Sequence, residues 1–231
     1  MDDLHHPSTP GLVVAVDGTS GSGQSSTCRG VASRLGLAYL DTGAMSRAMT
    51  WWMLEHGVDV HDPATVAARC GEPTITSGTD PAAPTIHVDG TDVAGPIRGE
   101  AVTGSVSPVA TVPEVRERLV ALQRAAISAA PQGIVVEGRD IASTVWPQAQ
   151  VKVFHTADPA ARAARRAAEE GGSDAAAVEA VLRSRDAIDS GRAASPLTQV
   201  DGAAHLDTTH LTLDEVIEEV VALVRAVEVD A

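Results

Sequence analysis

Residues 12–16, Leu-Val-Val-Ala-Val, are uniformly apolar, rich in β-branching and run into a glycine-rich stretch, the pattern of a parallel strand buried on both faces. Helical spacing follows over 25–35, a second short strand over 38–40, and another helix over 44–56. Between 73 and 93 the character changes. Thr-Ile-Thr, then Thr-Ile-His-Val, then the tight-turn pair Asp89-Gly90 predict a small antiparallel insertion. Pro113 suits a first helical turn, and Val115, Leu119, Leu122 and Ile127 then recur at helical spacing. Residues 133–137 and 150–154 read as two more strands, separated by Gly138-Arg139-Asp140 and a short helix. Asp158 is placed to cap an Arg-rich helix running through Arg166. A polar stretch over 169–174 precedes a helix over 175–189, Leu206-Asp207 closes a fifth strand, and 213–227 is an amphipathic helix. This alternation predicts an α/β fold: a five-stranded parallel sheet with helices on both faces and a small antiparallel β insertion.

Composition narrows the function. At 231 residues, one α/β domain with an insertion is expected, and 44% apolar with 21% charged residues argues for a folded chain. The net charge of −14 disfavours nucleic acid and anionic membranes as partners. Aromatic residues at 2% leave no stacking platform for single strands. No apolar run has the roughly 18–20 residues of a membrane helix, and the N-terminus carries Asp2 and Asp3 where a signal peptide would be basic, so a cytoplasmic protein is expected. Cys28 and Cys70 lack metal or redox spacing and read as reduced structural thiols. His5 and His6 lie in a polar lead-in, residues 1–11, expected to be disordered. The basic residues are sixteen arginines and one lysine, Lys152.

That imbalance bears on the segment between first strand and first helix. Gly18, Thr19, Ser20, Gly21, Ser22, Gly23, Gln24 and Ser25 fit the phosphate-loop pattern G-x-x-x-x-G-K-[ST] at every defined position except one, where Gln24 replaces lysine. Backbone N–H groups of such a loop wrap phosphate, the helix N-terminus adds partial positive charge, and the Ser25 hydroxyl suits Mg²⁺. Two other readings are a ligand-free Gly/Ser turn and a dinucleotide site, with Gly21, Gly23 and Asp41 in its fingerprint positions. The second leaves Gly18 and the downstream arginines unexplained.

With the phosphate loop, four further stretches carry a resemblance: 40–47 (Leu-Asp-Thr-Gly-Ala-Met-Ser-Arg), 107–116 (Ser-Pro-Val-Ala-Thr-Val-Pro-Glu-Val-Arg), 137–141 (Glu-Gly-Arg-Asp-Ile) and 185–192 (Arg-Asp-Ala-Ile-Asp-Ser-Gly-Arg). Together they make residues 12–225 resemble the bacterial cytidylate kinases, P-loop kinases that phosphorylate CMP or dCMP from ATP. The resemblance implies a P-loop kinase core (12–60, 131–160 and 203–231), a monophosphate-binding region holding the β insertion (61–130) and a helical lid (161–195). It implies ATP phosphates on residues 18–26, Ser26 included, with Mg²⁺ at Ser25. It places CMP among Thr42, Arg47, Ser107, Arg116, Arg139, Asp140, Arg185, Asp189 and Arg192: Arg47 and Arg139 on its phosphate, Ser107 and Arg116 on the cytosine edge, Asp140 and Asp189 on the ribose. Guanidinium forks match phosphate oxygens two at a time. A solvated helix face is the other reading for Arg116, and for Arg162, Arg165 and Arg166. Arg139, Arg185, Arg192 and Gln24 are the candidate catalytic groups.

Phosphoryl transfer spreads charge over the moving group, so positioning and fixed cations dominate catalysis. Losing one such contact costs about 10²–10³ in rate. Three functions follow: a (d)CMP kinase, slowed or using an arginine in the lysine's place; a paralogue for a modified pyrimidine nucleotide; or a nucleotide-binding pseudokinase. Gln24→Lys is expected to raise kcat if the site is otherwise poised. Small-molecule nucleotides are the expected partners, and a monomer the expected state.

Overall fold

The computed structural model describes residues 11–169, 172, 174–192 and 196–229; most of the expected lead-in, with its two histidines, lies outside the described residues. All six residues of β1 (Val13–Gly18) are buried. Val13 and Ala15 enter one apolar core and Val14 and Val16 the other, as a period of two requires. β1 is the middle of a five-stranded sheet ordered β2 (Ala38–Asp41), β6 (Ile134–Gly138), β1, β7 (Val151–Thr156), β8 (Ala204–Asp207). Every pairing is parallel, with Val14 opposite Val135 on one side and Val151 on the other.

One sheet face is covered by α2 (Thr42–Glu55) and α5 (Pro113–Ser128), through Met45, Met49, Leu119 and Ile127. The other is covered by α1 (Gln24–Leu35) and α8 (Leu213–Val229), through Cys28, Val31, Val220 and Val224. Both cysteines are free and buried. Covering both faces explains why the strands are continuously apolar.

The predicted insertion is a three-stranded antiparallel sheet, β3 (Ile75–Ser77), β4 (Ile86–Val88) and β5 (Thr91–Asp92). Asp89 and Gly90, at φ 50° and 80°, form the two-residue turn between β4 and β5, the positive-φ pair such a hairpin selects. Trp52 of α2 donates its indole N–H to Asp89 (3.1 Å), tying the insertion to the core.

Two helices went unread in the sequence. α3 (Pro63–Arg69) is short, with Pro63 in its first turn and Asp62 accepting from the Ala64 N–H. α4 (Glu100–Ala110) contains Gly104 and Pro108, poor helix formers, and is held by burial of Val102, Val106 and Val109. The expected short helix after Gly138-Arg139-Asp140 is one wide turn, Ile141–Val145, pinned because Asp17 of β1 accepts from the Ile141 and Ala142 N–H groups at 2.7 and 2.8 Å. α6 (Pro159–Glu169) and α7 (Ala175–Ser190) then form the pair predicted as a lid, with Asp158 accepting from the Ala160 N–H as the expected cap.

Candidate functional site: a phosphate loop facing an arginine-lined pocket

The loop after β1 opens at the carboxyl end of the central strand, where the sheet's strand order reverses and ligands bind in open α/β sheets. A Cβ at Gly18 would stand 2.1 Å from the His155 carbonyl oxygen, so β1 approaches β7 only as glycine. Gly21 and Gly23 adopt φ of 76° and 89°, turning the chain so that α1 starts at Gln24 with its N-terminus toward the cleft.

The loop is held from behind by α6. Arg162 donates to the Ser20 carbonyl (2.8 Å) and to Asp186 (2.5 Å), and Arg165 to the Ser22 carbonyl (3.1 Å). Asp186 of α7 also accepts from the Ser20 N–H at 2.9 Å. Arg162 is therefore not part of a solvated helix face: it is 5% exposed, because α6 turns this side inward to satisfy loop carbonyls. Arg166, from the same helix, lines the cleft.

Of the residues assigned to the ATP phosphates, Mg²⁺ or CMP in the sequence, all but Gly18 and Ser22 line one cleft of about 360 Å³. Gly18 serves strand packing, and Ser22 turns its hydroxyl onto the Thr19 carbonyl (2.9 Å). Thr42 lines the cleft and donates to the Glu137 carbonyl (2.6 Å), fixing the start of α2 to β6. Ser107 is buried on α4. Arg116, far from being a solvated charge, is 7% exposed and ion-paired with Asp140. Asp189 is paired twice, with Arg192 and, at 3.1 Å, with the Arg139 Nε.

Arg47 donates to the Ile97 carbonyl (3.1 Å) and the Thr103 hydroxyl (2.9 Å). Burial, then the positive charge of Arg185, lowers its pKa to about 9. Burial and the Arg139 charge lower Arg185 to about 10. The Nε–H groups of Arg116, Arg185 and Arg192 are buried without a hydrogen-bond partner. Crowded cations with unspent donors are what a cleft presents to a multiply charged anion.

Gln24 is 8% exposed, with its amide turned into the sheet: Nε2 donates to the Val16 (2.6 Å) and Gly138 (3.1 Å) carbonyls. Its Oε1 accepts from Arg139 at 3.2 Å. The second terminal nitrogen of Arg139 donates to the Ser20 hydroxyl at 2.9 Å. Lys152 lies in β7 and does not line the cleft.

Sequence reasoning missed Glu137. It is the next-to-last residue of β6, is 5% exposed, and accepts from the Ser25 hydroxyl at 2.8 Å, while its other oxygen, Oε2, is buried without a hydrogen-bond partner. Burial, then the charge of Asp41, pushes its carboxyl well above the usual range. An acid closing the apolar run Ile-Val-Val at a strand's carboxyl end was the available signal. Arg98 and Asp41 also line the cleft.

The family model for cytidylate kinases matches residues 14–226. A cytidylate kinase from Streptomyces griseus is 58% identical over 220 residues, spanning 95% of each chain, and one from Streptomyces coelicolor 57% over 225 residues, spanning 97% of each. One from Nocardia farcinica is 52% identical over 212 residues, covering 90% of this chain and 91% of that one. With a glycine loop, an arginine-crowded pocket and these relatives spanning nearly its whole length, the chain belongs to the cytidylate kinase family.

Proposed function

We propose that the cleft transfers the γ-phosphoryl group of ATP to the phosphate of CMP or dCMP. The observation that carries this reading is the pocket facing the loop, where Arg47 and Arg185 repel one another and three buried guanidinium N–H groups await an acceptor. Membership in the family supports it. The loop N–H groups from Gly21 to Ser26 and the α1 N-terminus hold the ATP phosphates. Arg47, Arg185 and Arg192 hold the acceptor phosphate, with Arg139 between the two nucleotides. Asp140 and Asp189, each already oriented by an arginine, accept from the ribose hydroxyls, and Ser107 and Arg116 read the cytosine edge.

An acceptor phosphate oxygen attacks the γ-phosphorus as the bond to the β–γ bridging oxygen breaks and ADP leaves. The nucleophile is already anionic, so no general base is required. Fixed arginine charge stabilises the moving group, and closure of the lid, 161–195, which takes in α7 and most of α6, excludes water. The partnerless Glu137 oxygen, the Ser25 hydroxyl and Asp41 are a hard oxygen set fitting Mg²⁺, which neutralises phosphate charge when bound. The segments 12–60, 131–160 and 203–231 act as core and 61–130 as acceptor arm. No described helix is long and apolar enough to cross a membrane; we infer a cytoplasmic monomer with reduced thiols.

A coupled ADP-release assay with ATP, Mg²⁺ and CMP, dCMP or UMP tests the reading. Turnover with CMP or dCMP supports it. Calorimetric nucleotide binding without turnover on any acceptor overturns it in favour of a pseudokinase, and a higher kcat/KM for a modified cytidylate favours the divergent paralogue.

A further inference from the structure

A glutamine side chain carries two amide donors and one carbonyl acceptor. Both donors of Gln24 are spent on main-chain carbonyls at the ends of β1 and β6, at 2.6 and 3.1 Å. This determines which way the amide faces, since the reverse orientation would set oxygen against two carbonyl oxygens and an NH₂ against a guanidinium. Oε1 is left aimed at Arg139. Three more contacts hold the guanidinium: Nη2 donates to the Ser20 hydroxyl (2.9 Å), Nη1 to the Gly138 carbonyl (3.1 Å) and Nε to Asp189 of α7 (3.1 Å), while its open side faces the cleft, where the side chain keeps 21% exposure. Its positive charge thus lies across the mouth of the loop, contacting the loop at its third and seventh positions. The resemblance puts Arg139 on the acceptor phosphate and among the candidate catalytic groups; its contacts with Ser20 and Gln24 put it on the phosphate loop as well.

We propose that Gln24 is a positioning residue for Arg139, and that Arg139 delivers to the transferred phosphoryl group the cation that a lysine at position 24 would deliver. The inference rests on the kinase reading and goes beyond it in naming the source of the loop's charge. A lysine has three donors and no acceptor. At position 24 it offers Arg139 no oxygen and sets an ammonium against the guanidinium. Lysine at 24 and arginine at this place are therefore alternatives rather than additive, and Gln24→Lys in the native background does not raise kcat.

The test is a mutant cycle in the ADP-release assay at saturating and limiting ATP and CMP, using Gln24→Met, Arg139→Met, both together, and Gln24→Lys with Arg139→Met. Arg139→Met lowers kcat by about 10³ or more, in the range of phosphate-clamping arginines. Gln24→Met lowers kcat by about 10-fold or more with both KM values within about 3-fold, because it removes a transition-state contact through its partner. The double variant is no slower than Arg139→Met, as expected when one residue acts only through the other. Lysine at 24 in the Arg139→Met background restores kcat by about 10-fold or more. Should Gln24→Met fail to fold, Arg139→Lys, which leaves the Gln24 carbonyl bonds intact but loses the fork, loses kcat likewise. Losses that multiply in the double variant, an effect confined to KM for CMP, a rise in kcat for Gln24→Lys alone, or no rescue by lysine overturns the inference while leaving the kinase reading standing. Absence of CMP turnover by the native protein overturns that reading instead.

Discussion

Arg116 and Asp140 form a buried ion pair where the proposed function places the cytosine edge, 7% and 4% exposed, so on that reading stability and recognition are entangled there and a pair of substitutions separates them. Arg116→Met keeps the volume and removes the cation, leaving the Asp140 carboxylate in a site from which water is excluded. Breaking such a pair from one side costs about 3–5 kcal/mol. Arg192 adds favourable charge near Asp140, which puts the expected loss at the lower end, about 3 kcal/mol. At this chain length that is a fall in melting temperature of about 6–12 °C. Adding Asp140→Asn removes the stranded charge and is expected to recover at least half of the loss, because two neutral partners leave little to desolvate. Recognition does not recover: KM for CMP rises about 10-fold or more in single and double variants alike, since the guanidinium donors to the base are gone in both. Urea unfolding without nucleotide reads the first quantity and the ADP-release assay the second. A double variant as unstable as Arg116→Met would refute the stranded-charge argument. An unchanged CMP KM in both would refute the placement of Arg116 on the acceptor.

Other consequences follow from buried groups beside the loop. Burial raises Asp17 from 3.8 to about 6 and lowers His155 from 6.5 to about 4. The folded state protonates Asp17 first, so its share of stability falls as pH rises from about 4 to 6. The unfolded chain protonates His155 first, so its share grows over nearly the same window. Each amounts to about 3 kcal/mol and they oppose one another. Relative to the native protein, Asp17→Asn should lose stability and His155→Gln gain it on acidification from pH 6 to 4; parallel profiles in urea unfolding would sink the assignment. Glu137→Gln should leave the ligand-free protein at least as stable, because burial, then the charge of Asp41, already disfavours the Glu137 carboxylate, while raising the Mg²⁺ concentration for half-maximal rate by about 10–100-fold. A lowered melting temperature with unchanged Mg²⁺ dependence would contradict it.

The parts of the fold that were legible in the sequence are those where local chemistry and global position agree. The β-branched run ending in Gly18 permits little but a buried strand and a phosphate turn, and Asp89-Gly90 permits little but a hairpin. α4 was not legible because Gly104 and Pro108 argue locally against the helix that the buried valines impose. A periodic arginine face looks the same whether it meets water or the underside of a loop, so Arg162 could not be placed before the packing of α6 was known. Gln24 is the sharpest case. Read along the chain, it is a missing cation. Its partner stands 115 residues away, and only the parallel pairing of β1 with β6 brings the two together.

The same packing explains why the cleft is built from arginine. Eight of the sixteen arginines line it, within a chain whose net charge is −14. Only Asp41, Glu137, Asp140 and Asp189 stand among them, and burial together with neighbouring cations lowers the pKa of Arg47, Arg185 and Arg192. Arg47 is lowered to about 9 by burial, then by the charges of Arg185, Arg166 and Arg98, against a smaller upward pull from Asp41, and it still carries its charge at neutral pH. A lysine, starting at about 10.4 and pushed as far, would titrate near 7 and be about half neutral when the acceptor arrived. Arg47→Lys should therefore bind CMP about as well as a shortened side chain allows at pH 6 and lose affinity as pH rises through 7 to 8. The native protein keeps its guanidinium charged over that range and shows no such slope. KM for CMP measured from pH 6 to 8 on both proteins decides it: parallel profiles would mean that the crowding does not reach position 47, and that a lysine could have served there.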